Sequence, residues 1–269
     1  MEEKPGPARR RHLVFVHGGG AGPWMWRAQE EHFGDRFTVH TPTLPGHRGE
    51  KRDAYRSHAH AAAVVAEDVG LGRLRGPVTV VGFSVGGQIA IELATAYPSV
   101  VTGTVVASAL LSPWRGARAL ATVSSAAAPL ARIRVFAWWQ ARELGIGAED
   151  FEDYFAVSRS MTARSMRCLL YSNFSFAVPP EFLRSRRPAL LVAGSRERRP
   201  VLAGMERVRA LRPGCELELI RGAGHDAPLS HPASFNRVLE GWLDGGEPVR
   251  GESGPGRGGP RPGGRCTDG

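Results

Sequence analysis

The stretch Val78-Thr79-Val80-Val81-Gly82-Phe83-Ser84-Val85-Gly86-Gly87-Gln88-Ile89-Ala90-Ile91-Glu92-Leu93-Ala94 decides the fold. Its first four residues read as a buried strand and its last seven as a helix. Between them, glycines bracket a serine. Such a turn lifts the serine Oγ out of the sheet edge, and the glycines leave room for a strained backbone. The Val85 N–H and the positive end of the following helix then point to where an oxyanion would form. Gly-x-Ser-x-Gly alone is a weak signal in a chain with 34 glycines. A glycine turn with an incidental serine is the alternative, and the flanking strand and helix are what raise the pattern above it.

Two distant segments add to this reading. Leu13-Val14-Phe15-Val16 is a short apolar run that ends in His17-Gly18-Gly19-Gly20-Ala21-Gly22. A loop so rich in glycine exposes backbone N–H groups, as a second oxyanion donor requires, and Gly19 is the candidate. A phosphate cradle is the rival reading, but Gly-Lys-Ser/Thr is absent and the spacing misses a dinucleotide fingerprint. Late in the chain, Glu216-Leu217-Glu218-Leu219-Ile220 alternates like a strand and runs into Gly222-Ala223-Gly224-His225. A helix with Phe235, Val238, Leu239 and Trp242 at helical spacing follows. A histidine on a glycine loop at a strand's end, after a serine turn, reads as a general base.

The 269 residues are 42% hydrophobic, enough for one substantial core. No apolar run reaches the length of a transmembrane helix, and Arg9-Arg10-Arg11 without a separate apolar segment does not make a secretory signal. Cys168, Cys215 and Cys266 have no paired spacing, so neither a disulfide framework nor a metal site is expected, and a cytoplasmic setting is the default. The net charge is +9. The first eleven residues carry +2 of it and residues 246–269 carry +1, leaving +6 in between. That balance favours anionic ligands, but no basic stripe with stacking aromatics suggests nucleic acid. The histidines of Ser57-His58-Ala59-His60 stand two apart on a helix, on different faces, and make a poor metal pair. The end of the chain is rich in Gly, Pro and Arg without periodicity and reads as disordered.

Together the segments resemble the α/β-hydrolase fold family over roughly residues 12–244, in the chain order serine, acid, histidine. Arg36-Phe37-Thr38-Val39-His40-Thr41-Pro42-Thr43-Leu44-Pro45-Gly46-His47 is similar to the family's second strand and Pro-Gly-His turn. Trp24-Met25-Trp26 resembles the aromatic pair after the oxyanion loop, and Pro232-x-x-Phe235-Asn236 the start of the last helix. The resemblance implies a mostly parallel sheet flanked by helices: a leader over 1–11, a core over 12–112 and 188–245, a helical lid over 113–187 and a tail over 246–269. It implies Ser84 as nucleophile and His225 as base. The acid departs from the family's usual aspartate: Ala189-Leu190-Leu191-Val192-Ala193-Gly194-Ser195-Arg196 leads to Glu197.

Glutamate can hold the imidazole as aspartate does, although Arg196, Arg198 and Arg199 flank it and could compete for the carboxylate. Some relatives carry the acid after the strand that follows the serine's helix, but no Asp or Glu occurs between Glu92 and Glu143. Asp226 adjoins His225, too close in sequence to curl back readily. In the lid, Phe136, Trp138, Trp139, Phe155, Met161, Met166, Tyr171 and Phe174 are candidates for a substrate pocket, with Phe83 beside the serine; packing of lid helices onto the body is the plainer role for any one of them. Arg115, Arg118, Arg132, Arg134 and Arg142 precede the lid's first acid, as an anion-attracting mouth or a solubilising face. The expected activity is hydrolysis of a carboxylic ester or related small acyl substrate through an acyl-enzyme, without cofactor, metal, nucleic acid or membrane partner. Same-fold thioesterase, lyase or carbon–carbon hydrolase chemistry, and a non-catalytic ligand-binding protein, are the rivals. The oligomeric state is not legible.

Overall fold

Residue alternation in the strands builds a three-layer core. In β1 (His12–Val16), Leu13 and Phe15 face one side of the sheet and Val14 and Val16 the other, and each pair lies in a different hydrophobic cluster. The computed structural model describes residues 10–47, 54–126, 130 and 132–245. The expected tail and residues 1–9 of the expected leader lie outside the described residues.

Six strands pair in parallel in the order β2-β1-β3-β4-β5-β6. The others are β2 (Thr38–His40), β3 (Val78–Phe83), β4 (Val101–Ala107), β5 (Ala189–Gly194) and β6 (Cys215–Ile220). Every residue of β3 and β5 is buried, as their continuous apolar runs require, whereas the edge strands β2 and β6 are largely half-exposed. The chain winds outward from β1 to β2 and then returns to place β3 on the other side of β1. The winding therefore reverses between β1 and β3, where an open parallel sheet forms its binding crevice.

On one face, α1 (Arg27–Phe33) and α11 (Pro232–Leu243) cover Leu13, Phe15, Val81 and Val105 with Phe33, Phe235 and Leu239. On the other, α2 (His58–Asp68) and α3 (Val85–Ala96) cover Val14, Val16, Val78 and Val80. Ser57 starts α2 by accepting the His60 N–H at 3.1 Å. His58 is buried and His60 is not, so the two histidines do diverge, and no group able to hold a metal ion occurs among the described residues. No helix among them is long and apolar enough to cross a membrane. Cys168 and Cys215 are free thiols.

Five helices lie between β4 and β5: α4 (Ala117–Ala126), α5 (Arg134–Glu143), α6 (Phe151–Ser160), α7 (Ala163–Ser175) and α8 (Pro180–Arg184). Helices α6 and α7 are separate. Thr162 adopts extended backbone and accepts the Ser165 N–H at 3.1 Å, which ends one helix and caps the next. Helix α7 then runs to Ser175. Arg11 lies over the Phe37 ring at 4.8 Å and donates to the Leu243 carbonyl, so it ties the start of β1 to the end of α11. Two helices of the second half, α9 (Arg199–Leu211) and α10 (Ala227–Ser230), flank β6 in sequence.

Candidate active site

Ser84 links β3 to α3 with φ 54° and ψ −117°, a backbone that a β-carbon disfavours. Its neighbours show what enforces the turn. A β-carbon on Gly82 would stand 2.0 Å from the Gly86 carbonyl oxygen, and one on Gly86 would stand 2.1 Å from that of Val16. Only glycine lets β3, α3 and β1 approach so closely. The Ser84 N–H is fixed by the Ala107 carbonyl at 2.8 Å.

His225 reaches this serine from the loop after β6. Its Nε2 lies 3.2 Å from Ser84 Oγ, and its Nδ1 lies 2.9 Å from Glu197 Oε2. The second contact makes Nδ1–H the donor to the carboxylate and leaves Nε2 to accept from the serine hydroxyl. Glu197 sits in the loop after β5. That loop is laced to the histidine's own: Ser195 N–H donates to Ile220 and Arg196 N–H to Ala223, each at 2.9 Å. The glutamate is thereby seated at the right reach despite its extra methylene.

Its carboxylate is wholly buried, and the flanking arginines do not capture it. The backbone N–H of Arg198 donates to Oε1 at 2.8 Å, and no guanidinium among the described residues ion-pairs with it. Burial pushes this carboxyl's pKa up, but the hydrogen bond and charge interaction with His225, the Arg198 N–H and Ser108 outweigh burial and hold it below the ordinary value. Ser108, itself at φ 48°, exerts its pull without a hydrogen bond of full geometry from its buried Oγ. The carboxylate that bonds the ring is that of Glu197, whereas Asp226 Oδ2 packs on the insertion, 1.9 Å from where a Gly145 β-carbon would be.

The loop after β1 completes the rim. A β-carbon on Gly19 would be 3.4 Å from a Val85 side-chain carbon, so these two backbones adjoin. Neither N–H has a backbone acceptor among the described residues, and that of Val85, the first residue of α3, has none within its helix. Two histidines that the sequence does not mark as functional hold this loop. His17 Nδ1–H donates to the Gly18 carbonyl at 2.8 Å, while its Nε2 accepts the Leu44 N–H at 3.0 Å. His47 Nδ1–H donates to the Pro45 carbonyl at 3.1 Å, and its Nε2 accepts the Gly20 N–H at 3.0 Å. Both must be neutral to accept these bonds. Burial pulls the His17 pKa down to about 3, helped by His47, and that of His47 to about 4.

A family model described as the alpha/beta hydrolase family matches residues 13–238. The chain belongs to this family. It is 26% identical over 253 residues to a pimeloyl-[acyl-carrier protein] methyl ester esterase of Aromatoleum aromaticum, covering 86% of this chain and 97% of that protein. Among solved structures, a hydrolase from Pseudomonas aeruginosa superposes with a TM-score of 0.73 at 21% identity, covering 88% of this chain and 91% of that one. The carboxylesterase CesB of Bacillus subtilis superposes at 0.67 and 20%, covering 90% and 86%. The protein is thus an α/β-fold hydrolase.

A cavity of about 540 Å³ opens beside Ser84 and His225, between the helical insertion and the loop holding Glu197. Of the expected pocket residues, Phe174 lines it. Phe83 is buried, with its ring 5.2 Å from that of His225 and pressed against Gly18. Trp138 and Trp139 are corrections: neither lines this cavity, and they are 48% and 57% exposed. The buried face of α5 is Ala137 and Ala141, which rotates both indoles outward. Phe155 is a correction too, stacking on Phe151 at 5.9 Å in a separate small cluster. Leu110, Trp114, Leu144 and Val201 form apolar wall in their place, and Arg142, Arg196 and Arg198 also line the cavity.

A buried chain of polar groups braces this wall. Tyr55 O–H donates to His58 Nδ1, His58 Nε2–H donates to Gln88 Oε1 at 2.5 Å, and Gln88 Nε2 donates to the carbonyls of Leu110 and Asn173 at 2.6 and 3.1 Å. Burial lowers the His58 pKa to about 4, against the pull of the Gln88 hydrogen bond.

Proposed function

We propose that the protein hydrolyses carboxylic esters through an acyl-enzyme on Ser84. The observation that carries this reading is the unbroken contact chain from Ser84 Oγ through His225 to Glu197. In the proposed cycle, His225 Nε2 takes the hydroxyl proton as Oγ attacks the ester carbonyl. Glu197 keeps the ring in the required tautomer and stabilises the imidazolium. The N–H groups of Gly19 and Val85 bind the tetrahedral oxyanion, each worth about 3 kcal/mol in the barrier. The protonated imidazole then gives its proton to the departing alcohol. Water, deprotonated by the same ring, releases the acid and restores the serine.

The segment 113–187 acts in this reading as a lid, and Leu110, Trp114 and Phe174 shield the acyl chain from water. The named activity of the Aromatoleum relative supports ester cleavage over the lyase and carbon–carbon alternatives. The free Cys168 and Cys215 fit a reducing cytoplasm.

Labelling with a fluorophosphonate followed by peptide mapping tests the reading. Modification at Ser84, with loss of ester cleavage and retained folding in Ser84→Ala, is expected. A folded protein that the probe leaves unlabelled, or a Ser84→Ala variant that still cleaves esters at the original rate, overturns it.

A further inference from the structure

The cavity beside Ser84 has three chemically distinct parts. Ser84 and His225 belong to its lining, Leu110, Trp114 and Phe174 give an apolar wall, and three arginines, Arg142, Arg196 and Arg198, also border it. We propose that it selects esters whose acyl chain ends in a free carboxylate, that is, monoesters of dicarboxylic acids. This deepens the esterase reading and rests on it.

No ion pair neutralises these arginines, a state they share with most arginines among the described residues; what is particular to them is their place in the cavity lining. Elsewhere, Arg27 pairs with Asp150 and Asp153, Arg36 with Glu240 and Asp244, Arg134 with Glu152 and Arg184 with Glu181. Arg212 is buried and donates to three carbonyls. Among the described residues, Arg142, Arg196 and Arg198 have no carboxylate partner. Arg142 lies 4.8 Å over the Trp138 ring.

Two acids share the cavity. The charge of Glu197 is taken up by His225 and the Arg198 N–H, which leaves Asp226 alone against three cations. The arginines come from two elements that both border the cavity, α5 and the loop after β5, and in the proposal a carboxylate meets more than one of them. Guanidinium groups favour such planar, bidentate partners. The methylene chain between the two ends of the ligand matches the apolar wall.

The test compares monomethyl adipate with methyl hexanoate, which has the same acyl chain length without the charge. At low salt the kcat/KM ratio should favour the charged ester by about tenfold or more. Arg142→Gln, Arg196→Gln and Arg198→Gln should lower that ratio, and the triple variant should bring it to one or below. Calorimetric titration of Ser84→Ala with both esters reads the same preference without turnover. A wild-type ratio near one, or a ratio that the triple variant leaves unmoved, overturns the proposal and assigns the arginines to a solvated face. If neither ester is cleaved but Ser84→Ala binds the charged one preferentially through these arginines, the anion site stands and the esterase reading falls. No cleavage and no preferential binding ends both.

Discussion

Acid should unfold this protein unusually early, because three of its buried histidines must stay neutral. His17, His47 and His58 have pKa values pulled by burial to about 3, 4 and 4, against about 6.5 in an unfolded chain. A depressed folded pKa means that the unfolded state binds more protons between the folded and the unfolded values. The stability these residues contribute is therefore complete above pH 6.5 and is lost as pH falls from there toward 3–4. At pH 5 each costs about 2 kcal/mol relative to pH 8, so together about 6 kcal/mol, comparable to the whole stability of many domains. Half-buried His40 adds in the same direction. Glu92, Asp150 and Glu218, whose carboxyls burial raises, gain stability on protonation and offset part of the loss. Urea denaturation at pH 8, 7, 6 and 5 measures the net slope, which should show protons taken up on unfolding, up to three per molecule from these histidines less what the raised carboxyls offset. His47→Asn should remove one of them. A urea midpoint that is flat from pH 7 to 5 would refute the reasoning, since it would mean that these rings are protonated in the folded state.

Glu197→Gln keeps the shape of the side chain but offers an amide where the ring requires an acceptor. It should lower kcat by about 10³–10⁴-fold, and a variant at half the original rate moves the acid's role elsewhere. Gly86→Ala drives a methyl group to 2.1 Å from the Val16 carbonyl oxygen, and should cost at least about 3 kcal/mol by thermal denaturation; an unchanged Tm contradicts the close approach. Gln88→Leu strips partners from His58 and from the Leu110 and Asn173 carbonyls, for a loss of about 3 kcal/mol, with ester KM rising as the wall loosens. Equal KM and stability would show that the wall stands without its brace.

What was legible in the sequence was chemistry carried by short runs. The turn around Ser84 could be read because its strand, glycines and helix are consecutive, and the same holds for Gly18–Gly22 and the loop ending in His225. Glu197 was legible as a position after a strand, but its environment was not. Three neighbouring arginines looked like competitors, whereas the fold presents the Arg198 backbone to the carboxylate and pairs none of the three side chains with it. His17 and His47 were legible as residues in the right loops but not as props, because their partners are backbone groups brought together by the β1–β2 arrangement.

The insertion was least legible, and α5 shows the reason. Hydrophobicity alone nominates Trp138 and Trp139 as its buried face. Yet α5 meets Phe151 and Tyr154 of α6 through Ala137 and Ala141, four residues apart and nearly inaccessible, while the indoles and Val135 stay exposed. Small residues on the facing side permit close helix approach, and two bulky neighbours one residue apart cannot both share that side. Which stripe of a short helix turns inward is set by the partner it meets, and the partner lies in another helix. For the same reason the cavity walls come from the connections rather than from the aromatic cluster: Leu110, Trp114, Leu144 and Phe174 sit at helix ends and in the segment after β4, where the insertion leaves and rejoins the body and must pass over Ser84.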